Sequence, residues 1–452
     1  MGLGKPLDEL TDTLRPDGSV QRLRATRFGL SLQVRAYEKI MRTLGVGGYL
    51  SPETRPAKNM LDYGSQVLSK CFEFDWRRSL PENAILFGEM VEAVLRFAQQ
   101  ETGSQENLKC DVVAHSMGGL LLRYYLRHGK KLLSDIGDNP APTWEGAQHV
   151  EHVMLVGTPN AGSLNAVDKL VAGLKKNAVM PGYDPALLGT MPSVYQLLPR
   201  GRHHTILDAQ TREPIENLLD LDTWISHKWG LANPDADPML RKLLPESKSA
   251  AQRRQIALDH LAKCLAEAKQ FHRVLDYASD PPAGVIMQLF AGDGMQTPSL
   301  AEVGEGGRSF KVLENAVGDG TVLRSSALMD ERVGNPWYPR LLTPIKWDNI
   351  TFIATDHMAL TRHPTFVNNA LYLLLQKPRP TCDYRVRTLP PETPETPEAA
   401  DASNLQPRVA VVPARTFGRL RGGPAPSSPR FRVRRRSRRT DPADSPESSP
   451  PR

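Results

Sequence analysis

Residues 109–126 read Lys-Cys-Asp-Val-Val-Ala-His-Ser-Met-Gly-Gly-Leu-Leu-Leu-Arg-Tyr-Tyr-Leu. The run from Cys110 to Ala114 has the length and composition of a short buried strand, and the run from Leu120 to Leu126 reads as an amphipathic helix. Ser116 stands between them among small residues, in the strand–turn–helix setting of the nucleophile elbow G-x-S-x-G, with Ala114 in place of the first glycine. A serine so placed must adopt a strained backbone conformation for its Oγ to leave the sheet. The positions two before and two after it must be small, because strand and helix converge there. Ala114 adds one methyl, while Gly118 and Gly119 keep the other side open. An ordinary strand–helix turn needs neither the small residues nor partners further along the chain.

Working outward, apolar runs of strand length alternate with helical periodicity. Upstream, the spacing of Val34, Tyr37, Ile40 and Met41 predicts a helix over 32–44, the aromatic run Cys71–Arg77 predicts a strand, and a second helix is expected over 82–100. Downstream, 152–157 reads as a buried strand closed by Thr158-Pro159-Asn160-Ala161-Gly162-Ser163. Strand character returns at 284–290, near 310–313 and at 350–354, and a closing helix is expected over 365–376. Such alternation predicts an α/β fold with a mostly parallel sheet covered on both faces. From 164 to 280 the strand signal disappears and the chain reads as helical and loop-rich, with a charged helix over 249–277. This is the place for a cap inserted after the strand that follows the elbow.

The expected organisation is therefore an irregular segment over 1–30, a first core part over 31–163, a helical cap over 164–280, a second core part over 281–376 and a disordered tail over 377–452. A chain of 452 residues exceeds what a single core usually covers, which fits a large domain with an insertion. The tail holds 15 of the 38 prolines and a net charge of +8, whereas residues 1–376 carry 41 basic and 42 acidic residues. The basic whole-chain balance thus says nothing about the ligand of the catalytic part. The tail composition cannot bury enough apolar surface to order itself. No apolar run approaches membrane-spanning length, and Met1-Gly2-Leu3-Gly4-Lys5 lacks the apolar centre of a signal peptide. The four cysteines, Cys71, Cys110, Cys264 and Cys382, are scattered and read as thiols, consistent with a reducing, cytoplasmic setting. No metal or nucleotide motif is present, so no cofactor or metal is expected.

A serine hydroxyl is a weak nucleophile that needs a base within hydrogen-bond reach and an acid to orient that base. In this strand–elbow arrangement the chain order is serine, then acid, then histidine. His357, between the last strand and the last helix, is the best-placed base of the eleven histidines. His115 is expected to pack beside the elbow or shape the pocket, and His203 and His204 fall in the expected cap. For the acid, Asp293 and Asp319 each sit in a Gly-Asp-Gly turn after a strand, and spacing alone leaves the choice open.

Ala-His-Ser-Met-Gly-Gly at 114–119, the run containing Asp75-Trp76-Arg77, the turn Gly318-Asp319-Gly320-Thr321-Val322 and a late histidine together resemble the lecithin:cholesterol acyltransferase family over about residues 30–375. The resemblance implies the α/β-hydrolase fold and a catalytic triad of Ser116, Asp319 and His357. Met117 would give its backbone N–H to the oxyanion, and His115, Asp75 and Trp76 would line the pocket. It further implies a serine-dependent lipid acyltransferase, phospholipase or esterase acting on a lipid or ester substrate without a cofactor.

The family's opening apolar strand and its Pro-Gly loop, which supply a second oxyanion donor, are not found in this sequence. Loss of one such donor costs about 2.7–4 kcal/mol of transition-state stabilisation. The expectation is that Met1 is an internal start, since the alternative strand, Ser19–Leu30, carries Arg22, Arg24 and Arg27. A rival reading is a non-catalytic hydrolase-fold protein whose basic tail binds membrane or nucleic acid. Seven arginines lie between Arg430 and Arg439, which would give weak attraction to anionic membrane but no specific nucleic-acid binding.

Overall fold

The computed structural model describes residues 3–5, 22–27, 30–35, 40, 49–50, 67–104, 107–174, 182–307, 310–335 and 337–376. These fall in one compact unit, Met1–Pro394. The tail from 377 onward, with its expected disorder and membrane attraction, lies outside the described residues.

Four strands make the central sheet. In chain order they are β5 (Cys110–His115), β6 (Val150–Val156), β8 (Ile286–Gly292) and β11 (Asn349–Ile353). They lie side by side in the order β11-β8-β6-β5, and every neighbouring pair is parallel. Parallel neighbours need crossover connections, and helices cover both faces of the sheet. The 23-residue α1 (Leu80–Thr102) and α2 (Met117–His128) cover one face, where Phe87, Val91, Leu122 and Tyr125 meet Val153, Leu155, Leu289 and Ala291. The last helix covers the other face, where Phe366, Val367, Ala370 and Leu374 meet Met154, Val156, Phe290 and Ile353. Successive residues at the end of β6 therefore enter opposite cores, which is why Val153–Val156 is a continuous apolar run.

Four expectations need correction. Cys71–Arg77 forms no strand; among the described residues nearby, Val67–Leu68 (β4) is paired, in a two-residue parallel ladder with Tyr49–Leu50 (β3). Phe72 and Phe74 are still partly buried, stacking with each other at 6.3 Å, with Phe72 edge-on to Phe87. Asp75 then ends the run, because its side chain accepts from Arg77 N–H (3.1 Å) and its carbonyl from Arg78 N–H (3.0 Å). The alternating aromatics follow burial against α1, not a ladder.

Arg22–Arg27, expected to be irregular, is a strand paired antiparallel with Leu30–Arg35 in a separate two-stranded sheet. The helix expected over 32–44 is thus overturned at 32–35, where β-branched and alternating residues pair locally; Ile40 is helical, and the rest lies outside the described residues. The stretch 164–280, expected to lack strands, has one short strand among its described residues, β7 (Ile206–Asp208), which joins β9 (Met295–Val303) and β10 (Phe310–Gly318) in a second sheet.

The segment after β6 is otherwise helical, running from Leu164–Ala172 to the 27-residue Ala250–Asp276. It has its own apolar core, in which Trp224 and Trp229 are fully enclosed and meet edge to face at 5.8 Å. The C-terminal end of the long helix is capped from α2. Arg123 Nη2 donates to Leu275 O (2.8 Å), Arg127 Nε to Val274 O (3.2 Å) and Arg127 also to Tyr277 O. Cations at exposed helical carbonyls complement the helix dipole. Beside them Asp276 takes two hydrogen bonds from Arg200, at 2.9 and 2.8 Å. Burial alone would raise the Asp276 carboxyl, but Arg200 and Arg202 reverse this and hold it well below the usual carboxylate range.

Removing one partner of a buried pair leaves the other charge uncompensated. Asp276→Asn should therefore lower unfolding stability at pH 7 by about 3–5 kcal/mol in urea titrations. Because the folded-state pKa lies below the unfolded one, the contribution is complete above the usual 3.8 and fades as pH falls toward the depressed value. The stability gap between wild type and variant should narrow below that pH, and a constant gap would contradict the pairing.

Candidate active site

Strand β5 delivers Ser116 at φ 54° and ψ −128°, a conformation that non-glycine residues rarely hold. Two backbone bonds pin it, Ser116 N–H to Val156 O (2.8 Å) and Gly119 N–H to Ser116 O (3.0 Å). The close approach expected on both sides of the serine falls at one glycine. A Cβ on Gly119 would lie 1.9 Å from Thr158 Oγ1, whereas one on Gly118 would make only an ordinary 3.9 Å contact with the Phe74 ring. Met117 is the first helical residue after the serine, so its N–H is among those left without an intrahelical carbonyl.

Asp319 closes β10. Its backbone N–H and O bond Val322 O (3.1 Å) and His357 N–H (2.9 Å), and Oδ1 accepts from Thr321 N–H (2.9 Å) and Val322 N–H (2.7 Å). The second carboxylate oxygen, Oδ2, lies 2.8 Å from His357 Nδ1, and His357 Nε2 lies 2.9 Å from Ser116 Oγ. Asp319 is buried and fixed at both oxygens, so it can hold the imidazole with Nδ1 protonated and Nε2 open to the serine proton. Asp293 is engaged elsewhere, accepting from Arg324 Nη1 at 2.9 Å on the surface.

Gly157, read from sequence only as the end of a buried strand, sits beside both Asp319 and His357. A Cβ there would fall 2.8 Å from Leu360 Cδ1 and 3.2 Å from both Asp319 Oδ2 and His357 Nδ1, and its φ is +56°. The loop it begins ties the surroundings together. Asn160 accepts from Arg123 Nη1 (3.1 Å) and donates to Ala327 O (2.7 Å), and Ser163 Oγ donates to Thr321 O (2.6 Å) in the acid turn.

His115 lies next to His357, with the two ring centroids 4.8 Å apart. Asp75 and Trp76 are placed differently from the expectation. The Asp75 carboxylate is taken up by Arg77 at 2.8 and 2.7 Å, and burial, which alone would raise its pKa, is outweighed by these bonds. Trp76 is half exposed, and its backbone oxygen accepts from Ser193 Oγ. The aromatic facing the elbow is Phe74, two residues earlier, which the sequence singled out only as part of an apolar run. His203 pairs with Glu331 at 2.9 Å, away from the triad contacts. Among the described residues no cluster of three or more His, Cys, Asp or Glu is placed to hold a metal ion, and no helix is long and apolar enough to cross a membrane.

Comparison with known proteins gives the chain a family. The family model for lecithin:cholesterol acyltransferase matches residues 55–283, a span that includes Ser116. No curated protein matches this chain. Among solved structures, one described as "the crystal structure of Tle4-Tli4 complex" is similar at 15% identity and a TM-score of 0.45, covering 75% of this chain and 79% of that one. With half of its length matched by the family model, the chain belongs to the lecithin:cholesterol acyltransferase family.

Proposed function

We propose that this protein is a serine-dependent lipid acyl hydrolase or O-acyltransferase working through an acyl-enzyme on Ser116. Family membership gives the broad class, acyltransferase or lipase-type chemistry. The observation that carries the finer reading is the unbroken relay Ser116 Oγ–His357 Nε2–His357 Nδ1–Asp319 Oδ2, at 2.9 and 2.8 Å. In the forward step the Ser116 hydroxyl gives its proton to His357 Nε2 as Oγ bonds the ester carbonyl carbon. Collapse breaks the bond to the alcohol oxygen, which takes the proton back from Nε2. Water or a lipid alcohol then repeats the sequence to release the acyl group. Asp319 keeps the proton on Nδ1 and stabilises the imidazolium, and the Met117 N–H is one donor to the oxyanion.

Ser116→Ala should abolish hydrolysis of p-nitrophenyl esters while the far-UV circular dichroism stays unchanged; a folded variant with full activity would end the proposal. Asp319→Asn should lower kcat by about 10⁴ by favouring the wrong imidazole tautomer. Asp293→Asn should stay within about threefold, since its partner is a surface arginine; the reverse ranking would move the acid role to Asp293. Gly157→Ala forces a Cβ between acid and base, and a displacement of about 1 Å there should cost about 10² in kcat. Wild-type turnover in that variant would contradict the packing described above.

A further inference from the structure

His357 has four polar groups, and all four are held by three residues. Its ring nitrogens meet Ser116 Oγ and Asp319 Oδ2, and its main-chain N–H donates to Asp319 O at 2.9 Å. The fourth group, its main-chain carbonyl, lies 3.0 Å from His115 Nε2. A carbonyl oxygen only accepts, so His115 must carry its proton on Nε2. We infer that His115 is a positioning residue, which in its neutral Nε2–H form ties the backbone of the base to the strand that carries the nucleophile. The inference rests on the triad reading proposed above.

Several features fit this role. His115 is the last residue of β5 and directly precedes Ser116, so a bond from its ring to His357 fixes the base relative to the nucleophile's own backbone. Loss of hydration, and then the neighbouring His357 ring, push the His115 pKa down to about 4, so the imidazole is uncharged at neutral pH. That matters because His357 gains a proton during acyl transfer. A second cation with its ring centroid 4.8 Å away would oppose that protonation, whereas a neutral donor does not. His115 touches neither the substrate carbon nor the transferred proton in this scheme; it acts through where His357 sits.

The test compares reach at constant polarity in the full-length chain. The amide nitrogen of glutamine extends to about the place of Nε2, while that of asparagine stops near Nδ1. His115→Gln should therefore keep kcat for p-nitrophenyl butyrate within about fivefold of wild type. His115→Asn and His115→Leu should lower it about 10- to 100-fold with KM within about twofold. Equal losses in the Gln and Asn variants, wild-type kcat in the Leu variant, or losses expressed in KM would each overturn the inference. Ser116→Ala assayed in parallel separates the two levels. Full activity in that variant removes the triad reading itself; an inactive Ser116→Ala beside wild-type His115 variants removes only the positioning role.

Discussion

The C-terminal end of β6 governs the rest of the molecule. Val156 O takes the Ser116 N–H and so holds that serine in a conformation that costs about 1–3 kcal/mol to maintain. The next residue, Gly157, has no side chain, and the space a Cβ would occupy is bounded by Leu360, Asp319 Oδ2 and His357 Nδ1. Its own N–H bonds Phe290 O at 2.8 Å, which ties this corner to β8. Two consecutive backbone positions therefore pin Ser116 from one side and leave room for the hydrogen-bonded Asp319 and His357 on the other. One residue further, Thr158 fills the space over Gly119, so the elbow helix is seated against the same loop. The buried run Val153–Val156 of β6 reaches into both cores and anchors this end.

The helical segment after β6 is fastened to this frame by charge. Arg123 and Arg127 reach from α2 to the last carbonyls of the long helix, and Arg123 also holds Asn160 in the loop that begins at Gly157. Burial lowers the pKa of Arg123 to about 9 and that of Arg127 to about 10, yet both remain cationic at neutral pH. Buried charges of this kind rarely add much net stability, because desolvation offsets the attraction. They do fix orientation, since the planar guanidinium satisfies several acceptors only in one arrangement. The aromatic segment before α1 is held from the same side. Ser193 bonds Trp76 O, and Gln196 Oε1 accepts the Leu80 N–H at 2.9 Å. Phe74 is thereby kept facing the elbow.

What the sequence made legible was local. The elbow could be read because its chemistry demands small residues within a few positions of Ser116, and the helices because their apolar spacing repeats over many turns. The strands that entered the sheet as apolar runs, 110–115, 150–156 and 286–292, were visible for the same reason. Cys71–Arg77 misled because alternating aromatics signal a buried side and say nothing about a hydrogen-bonding neighbour. The pairing of 22–27 with 30–35 was hidden by arginines that suit a two-stranded sheet better than a covered one. β9, with Pro298 and several polar residues, carried little strand signal and forms an antiparallel pair with β10 outside the central sheet. Asp293 and Asp319 look alike in sequence, and only distance separates them. The special role of Gly157 depends on Leu360, Asp319 and His357, residues that lie more than 150 positions away.

The most direct measurement of the central claim is the covalent intermediate itself. The full-length protein would be mixed with an excess of a medium-chain p-nitrophenyl ester, quenched in acid within the first turnover and digested for peptide mass spectrometry. The account predicts an acyl adduct on the peptide containing Ser116, with fragment ions placing it on that residue, and its loss in the His357→Ala variant. An adduct on any other residue, or nitrophenol release with no adduct on the Ser116 peptide, would contradict it.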